Sequence, residues 1–156
     1  MGRLFLYENR LDERNILEKS SIRKDSFPMI KKNEKKIGPS FEENIAYMEE
    51  FLPVKESFDI IRRDMEIGGR NAVFYFIDGF TKDESMLKIM DSFFGVREED
   101  MPDDATIFTR RYVPYVEVDV LQNFDEVLRN VLSGVTCLFI SGYEVCIAID
   151  CRTYPA

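Results

Sequence analysis

Two aspartates at the ends of predicted buried strands are the residues of this chain best placed to do chemistry. Asp78 follows the apolar run Ala72–Ile77, and Asp150 ends the last predicted strand. Two carboxylates that lie close together can act as general acid and general base, which would be the chemistry of a hydrolase. With Gly79 and Arg152, the same aspartates form a candidate binding site for a small ligand, because ligands often bind at strand ends in α/β folds.

The residue content argues against catalysis. The chain has no histidine, which removes Ser-His and Cys-His nucleophile activation and every zinc site that needs histidine. Its three cysteines are odd in number and form no CxxC motif, a pattern that predicts free buried thiols. No nucleophile, phosphate loop or metal-ligand set accompanies Asp78, which favours a structural role in a turn. We therefore expect neither an enzyme, nor a cofactor, nor a metal site.

Charge divides the chain into two predicted parts. Met1–Pro39 carries 10 Lys/Arg and 6 Asp/Glu, whereas Ser40–Ala156 carries 11 and 23. We expect residues 1–39 to form a flexible basic arm and residues 40–156 to form one domain. The acidic domain would repel phosphates, so we expect no nucleic-acid partner. No apolar stretch approaches the roughly 20 residues that cross a bilayer, which predicts that the chain itself is soluble.

The elements that must position Asp78 and Asp150 follow from periodicity and turn signals. Thr81 and Glu84 have the spacing of a capping box and predict a helix over Lys82–Phe94. Gly68-Gly69 predicts a two-residue hairpin. The other predicted elements are a helix from Phe41 to Leu52, strands Phe58–Ile67, Asn71–Ile77, Val113–Val120, Val135–Ile140 and Glu144–Asp150, a short helix Asp103–Arg110, and a helix capped by Asn123.

This order of elements predicts an α/β (α+β) fold. We expect a mixed β-sheet of about five strands, with two strand-helix-strand crossovers, hairpins at both ends of the domain and helices packed on the sheet.

Several segments, taken in order, resemble the N-terminal cytosolic domain of the GerA family of spore germination proteins. The strongest are SFEENIAYMEEFLPVKESFDIIRRDMEIGGRNAVFYFIDGF and VLSGVTCLFISGYEVCIAIDCRTYPA. Between them, KDESMLKIM, EEDMPDD and RYVPYVEVD are more similar to the stage V sporulation protein AF branch than to the receptor A subunits. Family members continue beyond the stretch matching Arg152–Pro155 into a membrane region, so the resemblance implies a fragment of a longer membrane protein.

The resemblance implies a function without catalysis. The parent protein would lie in the spore inner membrane, with this domain on the cytoplasmic (spore core) side, and would help to release ions during germination. The domain would serve assembly or signal coupling, through self-association and through other membrane subunits of the germination complex. Membrane contact would come from the missing C-terminal part. The alternative is a small-ligand-binding α/β sensor that uses Asp78, Gly79, Asp150 and Arg152.

Overall fold

Four α-helices and five β-strands make up the part of the chain that the computed structural model describes, residues 35–115 and 117–152. A short 3-10 turn, Glu98–Asp100, lies between the second and third helices. In chain order the elements are α1 (Phe41–Phe51), β1 (Ile60–Ile67), β2 (Arg70–Ile77), α2 (Asp83–Phe94), α3 (Ala105–Tyr112), β3 (Val118–Leu121), α4 (Phe124–Leu132), β4 (Thr136–Ile140) and β5 (Cys146–Ile149).

The five strands form one sheet in the order β1-β2-β4-β5-β3. Both predicted hairpins are confirmed. Gly68 and Gly69 connect β1 to β2 with backbone φ angles of 55° and 77°, which residues other than glycine rarely adopt. The turn after Ile140 returns the chain as β5, with Leu138 opposite Ile147. The α/β (α+β) class, the five strands and the helices packed on the sheet are thus confirmed.

The sheet was predicted to be mixed, with both parallel and antiparallel pairs. This is wrong, since every neighbouring pair among these strands is antiparallel. The crossover through α4 does connect two strands that run in the same direction, β3 and β4. However, β5 lies between them, because the tight hairpin after β4 turns β5 into the place where a parallel partner would lie. The crossover from β2 to β3 connects strands of opposite direction.

Helices cover both faces of the sheet and enclose two separate hydrophobic clusters. Alternate residues of β2 supply both, since Phe74 packs with α2 and α3 whereas Tyr75 packs with α1 and α4. The central strand β4 is buried along its whole length, which explains why its sequence is apolar without alternation. The sheet is therefore the middle layer of three.

Ser40 and Asn123 cap two of the predicted helices. The side chain of Ser40 accepts a hydrogen bond from the backbone N–H of Glu43, and that of Asn123 accepts one from Glu126. The prediction that Thr81 caps α2 is wrong. Helix α2 begins one residue later, after Lys82, whose side chain makes no cap. Thr81 is buried and forms bridges to neighbouring segments instead.

The described body of the domain includes residues 35–38, which the sequence analysis assigned to the arm. The N–H of Ile37 donates to the carbonyl of Gln122 at 3.0 Å, and the N–H of Phe124 donates to Lys35 at 2.9 Å. Ile37 itself is buried in the cluster beneath α1 and α4. These contacts fix residues 35–37 beside β3. The remainder of the predicted flexible arm, residues 1–34, lies outside the described residues.

Asn44 holds the same segment from the other side, and its removal provides a test. Its side-chain oxygen accepts from the N–H of Gly38 at 3.0 Å, and its amide donates to the carbonyl of Gly38 at 2.9 Å. Because Asn44 is buried, we expect Asn44→Ala to lower the free energy of unfolding by about 1–3 kcal/mol. Urea unfolding measures this loss. The exposed Asn71→Ala is the control, and equal losses in both variants would contradict the assignment.

Candidate functional site

The structure brings together the two segments that contain the candidate site residues. Asp78 and Gly79 form the turn after β2, and Asp150 directly follows β5. Thr81 forms one bridge with Asp78 and another with Arg152. These bridges place the turn after β2 beside the chain that leaves β5, at the end of the sheet where both strands finish.

Asp150 and Arg152 form a bidentate ion pair at this end of the sheet. Nε of Arg152 donates to Oδ1 of Asp150 at 2.8 Å, and Nη2 donates to Oδ2 at 2.7 Å. Nη1 of Arg152 also donates to the carbonyl of Ser133 at 3.1 Å, which ties the end of β5 to the end of α4. Both side chains are about three-quarters buried. We call this arrangement the Asp150–Arg152 clasp.

The clasp decides what Asp150 can do chemically. Its hydrogen bonds with Arg152 lower the pKa of the Asp150 carboxyl, so it stays ionised near neutral pH. A carboxylate with both oxygens occupied by a guanidinium is a poor general base and no general acid. Asp78 is exposed in its turn, and its backbone N–H donates to the carbonyl of Asp59 at 2.7 Å. The geometry therefore favours structural roles for both aspartates.

An open groove of about 400 Å³ borders the clasp. Its wall is polar and partly acidic, with Asn130 on α4 and the side chains of Glu117 and Asp119 on the approach to β3 and within it. Asp150 and Arg152 also line the groove. Gly79, in contrast, has no atom within 4 Å of the position that its Cβ would take, and its φ of 91° explains why glycine is needed there. Asp150 and Arg152 thus border a groove, whereas Gly79 serves the turn.

The clasp gives stability a pH dependence that can be measured. A carboxyl whose pKa is lowered by folding stabilises the protein above its unfolded pKa of about 3.9, and this stabilisation is lost as pH falls through the folded pKa. We expect Asp150→Asn to lower the melting temperature at neutral pH, and the difference from the parent chain to shrink below about pH 4. A difference that stays constant down to about pH 2 would contradict this assignment.

A second polar network, which sequence reasoning missed, joins α1 to the sheet. The hydroxyl of the buried Tyr75 donates to Oε2 of Glu49 at 2.7 Å. Arg62 on β1 lies 3.6 Å from the same carboxylate and bonds Asp64 at 2.8 Å. Burial raises the pKa of the Tyr75 phenol, which keeps it a donor. Arg62 therefore forms ion pairs within the domain.

The three cysteines are free and buried, as the sequence predicted. Cys151 lies on the inner side of the clasp, with its sulfur 3.7 Å from the hydroxyl of Thr136. Burial raises the pKa of the Cys151 thiol and also that of Cys146, so both stay protonated and unreactive. Across residues 35–115 and 117–152, no three acidic, cysteine or histidine side chains cluster as metal ligands would. Nor does any helix in those ranges have the length and apolarity of a membrane span.

Known proteins are similar to this chain in sequence and in fold. Stage V sporulation protein AF of Bacillus subtilis (strain 168) is 24% identical over 114 residues, which cover 72% of this chain and 23% of that protein. This chain therefore spans about a quarter of the length of the curated relative that it matches. The crystal structure of the N-terminal domain of the A subunit of the Bacillus megaterium spore germinant receptor GerK3 has the same fold. The TM-score is 0.63 at 17% identity, over 79% of this chain and 50% of that one.

The family assignment rests on a match that covers most of the described domain. A family model described as Bacillus/Clostridium GerA spore germination protein matches residues 47–156, more than two thirds of the chain. The matched range contains all five strands and the helices α2, α3 and α4, so it includes the whole sheet and the clasp. The chain belongs to the GerA family of spore germination proteins.

Proposed function

We propose that this domain serves assembly and signal coupling in a spore inner-membrane protein that takes part in ion release during germination, and that it does so without catalysis. Membership of the GerA family supports the role in germination. The relative with the longer sequence, stage V sporulation protein AF, supports a parent protein larger than this chain. The domain would lie on the cytoplasmic side, and the membrane part of the parent would anchor it.

The Asp150–Arg152 clasp is the observation that carries the proposal. Asp150, one of the two aspartates best placed for chemistry, is bound by Arg152, and Arg152 also donates to the carbonyl of Ser133. Their arrangement stabilises the point where the chain leaves the sheet. A rigid exit would transmit a displacement between the domain and whatever follows it, which is what a coupling domain requires.

The proposed partners are further copies of this chain and other membrane subunits of the germination complex. The acidic composition makes nucleic acid a poor partner, because its phosphates would be repelled. Charged partners would instead have to offer basic or mixed surfaces. This charge requirement limits which proteins can bind the domain, and it therefore favours specific over non-specific association.

Purification of the parent protein from spore membranes tests the assembly role. We expect detergent-solubilised complexes from wild-type spores to retain the partner subunits, and complexes that lack residues 35–156 to lose them. The parent with Arg110→Glu on the exposed face of α3 is the control for a changed surface. Complexes that keep their full subunit composition without the domain would contradict the proposal.

A small-ligand sensor is the second candidate function, favoured by the groove beside the clasp. Its polar wall and its volume of about 400 Å³ suit a small polar molecule. A ligand that binds only the folded form raises the melting temperature, so a thermal-shift screen of amino acids, nucleosides and ions tests this function. A shift that Asn130→Ala abolishes would support it. No shift at millimolar concentration would remove it.

A further inference from the structure

The strand β1 offers a long unpaired edge within the described part of the chain. Its eight residues pair with β2 on one side, and no backbone hydrogen bond from residues 35–115 and 117–152 reaches the other side. At the opposite edge of the sheet, β3 has only four residues, and Ile37 hydrogen-bonds to Gln122 directly beyond it. The two edges therefore differ in length and in cover, and within the described residues the backbone groups on the outer side of β1 are the ones left without a strand partner.

Hairpin geometry shows which backbone groups of β1 face outward. In a two-residue hairpin the residues that flank the turn, here Ile67 and Arg70, exchange hydrogen bonds with each other. The pattern alternates along an antiparallel strand, so Arg63 and Met65 also direct their N–H and C=O groups toward β2. The intervening residues direct theirs outward: Ile60, Arg62, Asp64 and Glu66.

We propose that β1 pairs antiparallel with β1 of a second copy of this chain. This inference deepens the proposed assembly function and rests on it. A two-fold axis perpendicular to the sheet joins the two edges into one ten-stranded sheet, and the outward backbone groups of each copy then meet those of the other. The second copy is the occupant that the charges of β1 favour.

Charge complementarity supports self-pairing in the antiparallel direction. With the axis at Arg63, Arg62 of each copy binds Asp64 of its own chain at 2.8 Å and also lies opposite Asp64 of the other copy. With the axis at Asp64, Arg62 of each copy lies opposite Glu66 of the other. Either register forms two opposite-charge pairs and one like-charge pair at the axis, where the side chains are exposed. A parallel arrangement in register would oppose like charges at every charged position.

Phe58 provides an apolar contact at each end of the same interface. It lies two residues before β1, and its side chain is 99% exposed, which is unusual for a phenylalanine. With the axis at Arg63, Phe58 of one copy lies beside Gly68 of the other, and with the axis at Asp64 it lies beside Arg70. A groove of about 530 Å³ lies beside Gly68, lined in part by Met65, Met90 and Phe94. The symmetry forms this contact twice.

Sedimentation of the full chain and two charge-reversed variants tests the proposal. We expect the mass of the parent chain to rise up to twofold from 18.3 kDa as its concentration increases. Arg62→Glu alone and the Asp64→Arg, Glu66→Arg double variant alone should remain monomeric, because each opposes like charges in both registers. An equimolar mixture should form a heterodimer, since in either register the reversed charge at position 62 of one variant lies opposite the reversed charge at position 64 or 66 of the other. Arg110→Glu, on α3, should dimerise like the parent.

Hydrogen exchange of the parent chain keeps the test valid even if a variant folds poorly. The amides of Arg62, Asp64 and Glu66 should slow about tenfold or more as the dimer forms, whereas those of Arg63 and Met65 should be protected at every concentration. A chain that stays monomeric at all concentrations, or a dimer in which those three amides remain fast, would overturn the proposal. Neither result would touch the assembly role, which the spore-membrane complexes test independently.

Discussion

Phe93→Ala is expected to lower the free energy of unfolding by about 3–5 kcal/mol. Phe93 is 1% exposed and lies at the centre of the cluster between the sheet and the helices α2 and α3. Its ring centroid is 6.2 Å from that of Phe74 and 5.4 Å from that of Phe108. Truncation removes both contacts and leaves a cavity that the sheet on one side and α3 on the other cannot close. Urea unfolding at equilibrium measures the loss.

The adjacent residue is a matched control for this prediction. Phe94 has the same side chain on the same helix but is 69% exposed. We expect Phe94→Ala to change the free energy of unfolding by no more than about 0.5 kcal/mol. If the two variants lose similar stability, α2 does not pack on the sheet through Phe93, and the assignment of this layer is wrong.

Phe139→Ala is expected to cost a similar amount, about 3–5 kcal/mol, on the opposite face of the sheet. Phe139 is 1% exposed on the central strand β4. Its ring centroid lies 6.3 Å from that of Tyr75 and 6.3 Å from that of Phe124 on α4. Since β4 is held between two strands, it cannot move to fill the space. Thermal unfolding followed by circular dichroism measures the destabilisation.

Leu132→Ala is the control on this face, because Leu132 belongs to α4 but is 57% exposed. It should unfold close to the parent chain. A Phe139→Ala variant as stable as Leu132→Ala would mean that α1 and α4 do not cover the sheet. Losses at both Phe93 and Phe139 are what a sheet between two helical layers requires.

The elements of the fold could be predicted from local patterns, because each has a local cause. Gly68-Gly69 permits a tight turn, and Ser40 and Asn123 cap the helices that follow them. The pairing of β5 with β4 was predicted from the turn between them, but the pairing of β5 with β3 could not be predicted in this way. This pairing depends on which strands become neighbours in the sheet. The alternation of residues within one strand does not indicate its neighbours.

The capping box at Thr81 failed for a related reason. Thr81 and Glu84 have the required spacing, but Thr81 is used in bridges to Asp78 and Arg152. The backbone of Thr81 therefore lies beside the ends of β2 and β5, and α2 begins after Lys82. Tertiary contacts with a segment some 70 residues away along the chain outweigh one local hydrogen bond.

The candidate site was partly predictable. Asp78 and Asp150 follow strands that run in the same direction, so their approach at one edge follows from topology once the sheet order is known. The bond between Arg152 and Ser133 and that between Tyr75 and Glu49 join residues 19 and 26 positions apart, and no spacing rule indicates them. The prediction of GerA-family membership, made from segments in the right order, is confirmed.

Ion release from germinating spores tests the central claim most directly. In the spore-forming host, the chromosomal gene would be replaced by one that lacks residues 35–156 but retains the proposed membrane part, with protein levels checked in the spore membrane. If the domain assembles and couples the complex, these spores should release ions more slowly or not at all after a germination stimulus. Release at the wild-type rate, with the truncated protein present at normal levels, would contradict the proposed function.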